Sequence, residues 1–259
     1  MTDEILYSVE DGIGTITLNR PQARNALTFA MYERIAEICG DVEGHGTPKV
    51  IVMTGAGEKA FGAGTDISQF RDFKTPEDAL GYETKIERII TTIETCPVPT
   101  VAAIAGAVTG GAAAIACACD LRIATRDARF GFPIARTLGN CLSIANYARM
   151  ANLLGPALVK DIVFTARLVG AEEAKGVGLY NEIVEDHPAL IARAGELART
   201  IAGHAPLTMR ATKEALRRLS APPEGVEGDD LVLMCYMSED FREGMDAFLA
   251  KRPPRWKGR

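Results

Sequence analysis

Two glycine-rich turns carry the residues best suited to chemistry. AFGAGTDI (residues 60–67) and IAGAVTGGAAAIACACD (residues 104–120) each set glycines and small residues directly after a run suited to a strand. Glycine adopts backbone conformations closed to other residues and lets a ligand come up against the main chain. Two such turns can aim free N–H groups at one oxygen, which stabilises a carbonyl as it gains negative charge. A second reading of the first turn stays open, because GAGEKA, residues 55–60, fits the loose dinucleotide-binding form GxGxxA. That form needs a helix directly after the glycines and an acidic residue closing the next strand. Here a second glycine group intervenes, and no strand ending in an acidic residue follows at the expected distance. Other chemistries find less support. Cys39, Cys96, Cys117, Cys119, Cys141 and Cys235 form no CxxC pair, so neither zinc nor a disulfide framework is indicated. His45, His187 and His204 lie far apart and suggest no triad or metal site.

The elements that must position these turns are legible from periodicity. ILYSVEDGIGTITLNR (residues 5–20) alternates apolar and polar residues around Asp11-Gly12, which predicts a hairpin. Thr28 is placed to cap a helix running to about Val42, and KVIVMTG then reads as a buried strand. Ile86, Ile89, Ile90 and Ile93 recur at helical spacing between Thr75 and Thr95, and CPVP stops that helix. PTVAAIAG reads as a strand, Gly110 to Ala118 as a buried helix, and DLRIAT as another strand. This alternation predicts an α/β protein with a parallel sheet and crossovers. From about Asn140 onward almost everything reads helical, with Pro222 and Pro223 separating the last two segments. The apolar stripe of that helical layer suits an oligomer interface or packing within one chain.

Together with NRPQARNAL (residues 19–27), GLYNEIV (178–184) and FLAKRPPRWKGR (248–259), the two turns resemble the enoyl-CoA hydratase/isomerase family, the crotonases, along nearly the whole chain. The resemblance implies a crotonase-like spiral of β-β-α turns over residues 1–200. Residues 201–259 would then form a C-terminal helical region for trimer packing and closure of the site. It implies an oxyanion hole made by the amides of Thr65 and Gly111. The expected helix N-terminus at Gly111 suits that role, since unpaired amides and the helix dipole favour negative charge there. By the same resemblance Arg24 contacts phosphate, Ala26 and Leu27 line the coenzyme A path, and Ala63, Asp66 and Ile67 lie along adenine and pantetheine. Gly110 and Pro133 join the substrate-binding set, and Trp256-Lys257 stands where the family places a Phe and a Lys near the mouth of the site. The implied ligand is an acyl-CoA or enoyl-CoA thioester with no separate cofactor, since coenzyme A is part of the substrate. The implied assembly is a homotrimer or a dimer of trimers, and the implied activity a lyase or isomerase of fatty acid metabolism.

The sequence departs from the family where proton transfer is done. Hydration needs a base for water and an acid for the α-carbon, and family hydratases carry two carboxylates for this. One falls three residues after the second oxyanion glycine, here Ala114, and the other follows the Pro of FGxP, here Ile134. Neither side chain can move a proton. PIARTLGNCLSIAN also places Arg136, Thr137, Asn140 and Cys141 where the acyl-pocket wall is expected. Tyr82, Asp72, Glu77 and Glu83 are alternative proton sources, Arg136 and Asn140 alternative polarising groups, and Cys141 an alternative nucleophile. Thioester binding depends on main-chain donors and survives these changes; reaction type does not. An acyl-CoA-binding protein without catalysis is therefore the second reading, and an NAD(P)-dependent oxidoreductase the third.

Composition bounds the rest. At 259 residues with 47% hydrophobic and 24% charged side chains, the chain suits one main globular domain with a terminal extension. A net charge of −5 gives no overall attraction to nucleic acid or to an anionic membrane. No apolar run is long enough to span a bilayer and the start, MTDEILYSVEDG, has no signal-like h-region, so a cytoplasmic location is expected.

Overall fold

The computed structural model describes residues 3–71, 73–220 and 228–259. Asp72, Pro222 and Pro223, singled out above, lie outside the described residues. The chain opens with the hairpin β1 (Ile5–Glu10) and β2 (Ile13–Leu18), joined through Asp11 at φ 52° and Gly12 at φ 75°. Two successive left-handed residues give the tight turn whose twist matches the flanking strands.

From there the chain repeats one unit. β1 and β2 lead to α1 (Phe29–Gly40), and β3 (Val50–Gly55) and β4 (Ala60–Gly62) lead to α2 (Pro76–Glu94). β5 (Thr100–Ile104) and β6 (Ala107–Thr109) lead to α3 (Gly110–Ala118), and β7 (Leu121–Thr125) and β8 (Arg129–Gly131) lead to α4 (Ile134–Thr137). After these four β-β-α turns come α5 (Ile144–Leu154), α6 (Pro156–Thr165), β9 (Val169–Gly170), α7 (Ala171–Gly176) and β10 (Glu182–Val184). The chain closes with α8 (His187–Ala202), α9 (Pro206–Ser220), α10 (Asp229–Tyr236) and α11 (Glu239–Leu249).

The first strand of each turn after the opening hairpin joins one sheet and the second joins another. The larger sheet runs β1-β2-β3-β5-β7-β10, parallel except for the opening hairpin. The smaller runs β4-β6-β8-β9, with β4, β6 and β8 parallel. β3 is buried along its whole length because both faces are covered, the usual condition of a parallel sheet. Ile51 and Met53 turn to the core that contains α1, α2 and α3, while Val50 and Val52 meet Leu190, Ala194 and Ala198 of α8. A third cluster joins Phe70 and Ala79 to Val232, Tyr236 and Phe241, so α10 and α11 close over the start of α2.

One expectation needs correction. The region beyond Asn140 is not wholly helical: β9 and β10 lie there, and β10 extends the larger sheet beside β7. Two- and three-residue strands are too short to show an alternation. The stretch GDDLVLMCYMSEDFREGMDAFLA is two helices, because the Ser238 hydroxyl accepts from the Phe241 amide at 2.9 Å and starts α11 afresh. Among the described residues, no helix is long and apolar enough to cross a membrane.

Candidate functional site

Strand order brings the two glycine turns together. β4 pairs in parallel with β6, and β6 with β8, so the segments leaving their C-terminal ends emerge side by side. Those segments hold residues 63–67, Gly110 and Gly111, and Pro133 and Ile134. The C-terminal edge of parallel strands is the common place for a ligand in α/β proteins.

Contact between the first two segments is close enough to demand glycine. Gly64 has φ +93°, and a Cβ there would stand 3.3 Å from the Thr109 carbonyl oxygen and 3.7 Å from the Gly111 nitrogen. Gly110, at φ +53°, would bring a Cβ to 3.3 Å from the Gly64 Cα. Gly111 is the most constrained: its Cβ would lie 1.7 Å from the Tyr32 hydroxyl. The 60–67 turn is held from the other side by Leu27, whose amide donates to the Gly64 carbonyl at 2.8 Å and whose carbonyl accepts from the Asp66 amide at 2.8 Å. This pairing leaves the Thr65 N–H unused. Among the described residues, neither the Thr65 amide nor the Gly111 amide at the start of α3 has a protein acceptor. Two unpaired donors on touching segments can bind an oxygen that carries negative charge.

α3 itself is fixed at its far end. Arg122, buried on β7, donates to the carbonyls of Ala116 at 3.1 Å, Cys119 at 2.5 Å and Leu179 at 2.8 Å. A guanidinium at the C-terminal carbonyls satisfies orphan acceptors and complements the helix dipole.

Behind the turns runs a chain of hydroxyls. Thr65 Oγ1 lies 2.8 Å from the Tyr32 hydroxyl and 3.1 Å from that of Tyr82. Burial raises both tyrosines well above the ordinary phenol value, so they stay protonated and uncharged. The Tyr82 ring packs among Phe29, Phe70, Phe73 and Tyr236, at centroid distances of 4.9–6.2 Å. The next residue, Glu83, is 8% exposed and accepts a 2.6 Å hydrogen bond from Tyr236. Burial pushes its carboxyl up to about 7, against the opposing pull of the Tyr236 hydrogen bond.

Arg24 is exposed, with its backbone at φ 50° and its carbonyl accepting from the Ala63 amide at 3.0 Å. Ala26 and Ile67 are half-buried, Leu27 is buried and Ala63 exposed. Burial opposes ionisation of Asp66, but hydrogen bonds from Ser68 and Arg20 outweigh it and hold the carboxyl below its ordinary value. Pro133 is half-buried, and Ala114 and Ile134 are buried. Lys257 is exposed, its amide 2.6 Å from Asp240 and its ammonium 3.0 Å from Glu239. Trp256 reaches Gly139, which leaves 3.2 Å between its ring and a Cβ at that glycine. Among the alternatives, Glu77 and Arg136 are exposed. Cys141 is a poor nucleophile, since the neighbouring Cys235 thiol and burial push its own thiol up. Residues 56–59 turn straight into β4 rather than opening a helix, so GAGEKA lacks the helix N-terminus a dinucleotide pyrophosphate needs.

Sequence reasoning missed Asn25, Arg20 and Tyr32. Asn25 is almost fully buried at φ 55°, and its side-chain amide donates to the carbonyls of Ala56 at 3.1 Å and Ala60 at 2.8 Å. Arg20 bonds Asp66 at 3.0 Å and the Ala26 carbonyl at 2.7 Å. The NRPQARNAL segment was legible as a motif, but these ties depend on contacts distant in sequence.

Comparison with known proteins gives a consistent result. The family profile described as enoyl-CoA hydratase/isomerase matches residues 8–259. A short-chain-enoyl-CoA hydratase from Clostridium acetobutylicum is 33% identical, covering 96% of each chain. The crystal structure of an enoyl-CoA hydratase/carnithine racemase from Magnetospirillum magneticum superposes with TM-score 0.80 at 33% identity, covering 100% of this chain and 97% of that one. A methylmalonyl-CoA decarboxylase in complex with 2-nitronate-propionyl-CoA superposes with TM-score 0.88 at 27% identity, covering 99% of both.

Proposed function

The chain belongs to the enoyl-CoA hydratase/isomerase family, and from that premise we propose that it binds an acyl-CoA thioester and stabilises its enolate through the amides of Thr65 and Gly111. The observation that carries this reading is the contact of two glycine turns, each contributing an acceptor-free amide, at the C-terminal edge of β4 and β6. A thioester carbonyl gains negative charge as the enolate forms, and each preorganised donor is worth about 3 kcal/mol of barrier. The exposed Arg24 is free to meet a phosphate. Ala26, Ala63 and Ile67 offer an apolar path, whereas Leu27, fully buried in the core, supports that path from behind and does not line it; Gly110 keeps the main chain open, Pro133 lies beside the turns, and Lys257 is the expected basic residue near the mouth. Asp66 acts through Arg20, which ties it to the Ala26 carbonyl.

With Ala114 and Ile134 where family hydratases carry carboxylates, simple hydration is not the reaction this site favours. A second reading has its own support. Likeness to the methylmalonyl-CoA decarboxylase, at TM-score 0.88, favours an enolate generated by loss of carbon dioxide, a step that needs no base at either position. Calorimetric titration with butyryl-CoA tests the binding, and turnover of methylmalonyl-CoA tests the second reading. No heat of binding with any acyl-CoA would remove the proposed function. Binding without turnover across an acyl-CoA panel would leave a non-catalytic acyl-CoA-binding protein.

A further inference from the structure

Among the described residues, Glu83 is the only acidic side chain in the buried interior. Glu87, one turn along α2, faces Arg149 at 2.6 Å and is held ionised by it. Glu83 instead faces a neutral partner, the Tyr236 hydroxyl at 2.6 Å. Burying an ionisable group without a counter-ion is costly, and a fold that only needed to tie α2 to α10 could use an amide. Asn140 Nδ2 donates to the same hydroxyl at 3.2 Å, while its buried Oδ1 has no partner among the described residues. Carboxyl, phenol and amide thus meet in an aromatic nest whose Tyr82 wall touches Thr65.

We propose that Glu83, held by Tyr236, takes and returns the α-proton of the bound acyl thioester in place of the carboxylates absent at Ala114 and Ile134. This rests on the acyl-CoA reading above. The Glu83 carboxylate removes the proton, and the electron pair of the broken C–H bond becomes the enolate whose oxygen the Thr65 and Gly111 amides hold. The resulting carboxylic acid returns the proton, or a deuteron acquired from solvent, and no oxidant or reductant is needed. Titratable groups around Glu83 are Tyr82 and Glu87 on its own helix, Tyr236 and Cys235 from α10, Cys141 before α5, Tyr147 from α5, and Tyr32 from α1. Glu87 opposes ionisation of Glu83, and the Tyr236 hydrogen bond favours it.

The test is exchange of the α-protons of butyryl-CoA in deuterium oxide, followed by proton NMR across pH 5–9, with calorimetric binding alongside. The wild-type protein exchanges them at a rate that rises with pH to a midpoint near 7, the value to which burial moves Glu83. Glu83→Gln lowers exchange by about 100-fold or more, the usual weight of a positioned acid–base group, with binding retained. Tyr236→Phe keeps exchange but moves its midpoint upward, which a merely structural tie would not do. Binding without exchange in the wild type, exchange by Glu83→Gln within tenfold of wild type, or an unmoved midpoint in Tyr236→Phe each overturns the role of Glu83. Should Glu83→Gln fail to fold, the Tyr236→Phe midpoint decides. Absence of binding removes the acyl-CoA reading and this role with it, a result distinct from the other three.

Discussion

Adding one methyl group at Gly111 should expose how tightly the two turns are held. A Cβ there would stand 1.7 Å from the Tyr32 hydroxyl, 3.0 Å from Thr65 Oγ1 and 3.1 Å from the Tyr32 Cζ. Tyr32 is fully buried and bonded to Thr65 at 2.8 Å, so its hydroxyl must retreat by more than an ångström and give up that bond. Overpacking costs about 1–3 kcal/mol, and a buried hydroxyl left unpaired adds about 1–3 kcal/mol, which puts Gly111→Ala near 3 kcal/mol. Tyr32→Phe removes the oxygen and leaves the 3.1 Å contact, which a small shift relieves. In that background the same alanine should cost about 1 kcal/mol, leaving a coupling of about 2 kcal/mol between the two sites. Urea unfolding of wild type, both single variants and the double variant measures this cycle. A coupling below about 0.5 kcal/mol, within ordinary additivity, would refute the rigid contact between α3 and Tyr32.

Two further predictions follow from buried charge. Glu83 binds its proton more tightly in the folded protein, with its value raised from 4.5 to about 7, so the folded state holds more protons across that window. Wild-type stability therefore falls as pH rises from about 4.5 to 7, and Glu83→Gln should gain up to about 3 kcal/mol relative to wild type between pH 5 and 8; an equal difference at both pH values in urea titrations would contradict this. Arg122→Met strips the donor from the carbonyls of Ala116, Cys119 and Leu179 and should destabilise the protein by about 2–4 kcal/mol. Because the Ala116 and Cys119 carbonyls close the C-terminal end of α3, whose first turn holds Gly111, acyl-CoA affinity should fall as well, and a stable variant with unchanged affinity would count against the link.

Much of the fold is legible where local signals are strong. Asp11-Gly12 marks the hairpin because both positions need positive φ, and the Ala-rich helix from Gly110 to Ala118 stands out because its composition resists a strand. β9 and β10 escape because two or three residues carry no period, and their place is set by β8 and β7. The positions of Thr65 and Gly111 can be read from their glycines. Tyr32 cannot: nothing in its local helix signals that its hydroxyl fills the space of a missing side chain at Gly111. Glu83 can be named as one candidate among several acidic residues, but what separates it from Glu77 is burial, which comes from α10 and the turn before α5 folding over that helix.

The most direct test of the acyl-CoA site is a crotonyl-CoA hydration assay run beside calorimetric binding of the same ligand, with the wild-type protein and the Ala114→Glu, Ile134→Glu double variant. The expected result is that the wild type binds crotonyl-CoA without efficient hydration and that the two added carboxylates raise the hydration rate. Failure to bind, or efficient hydration by the wild type, would contradict it.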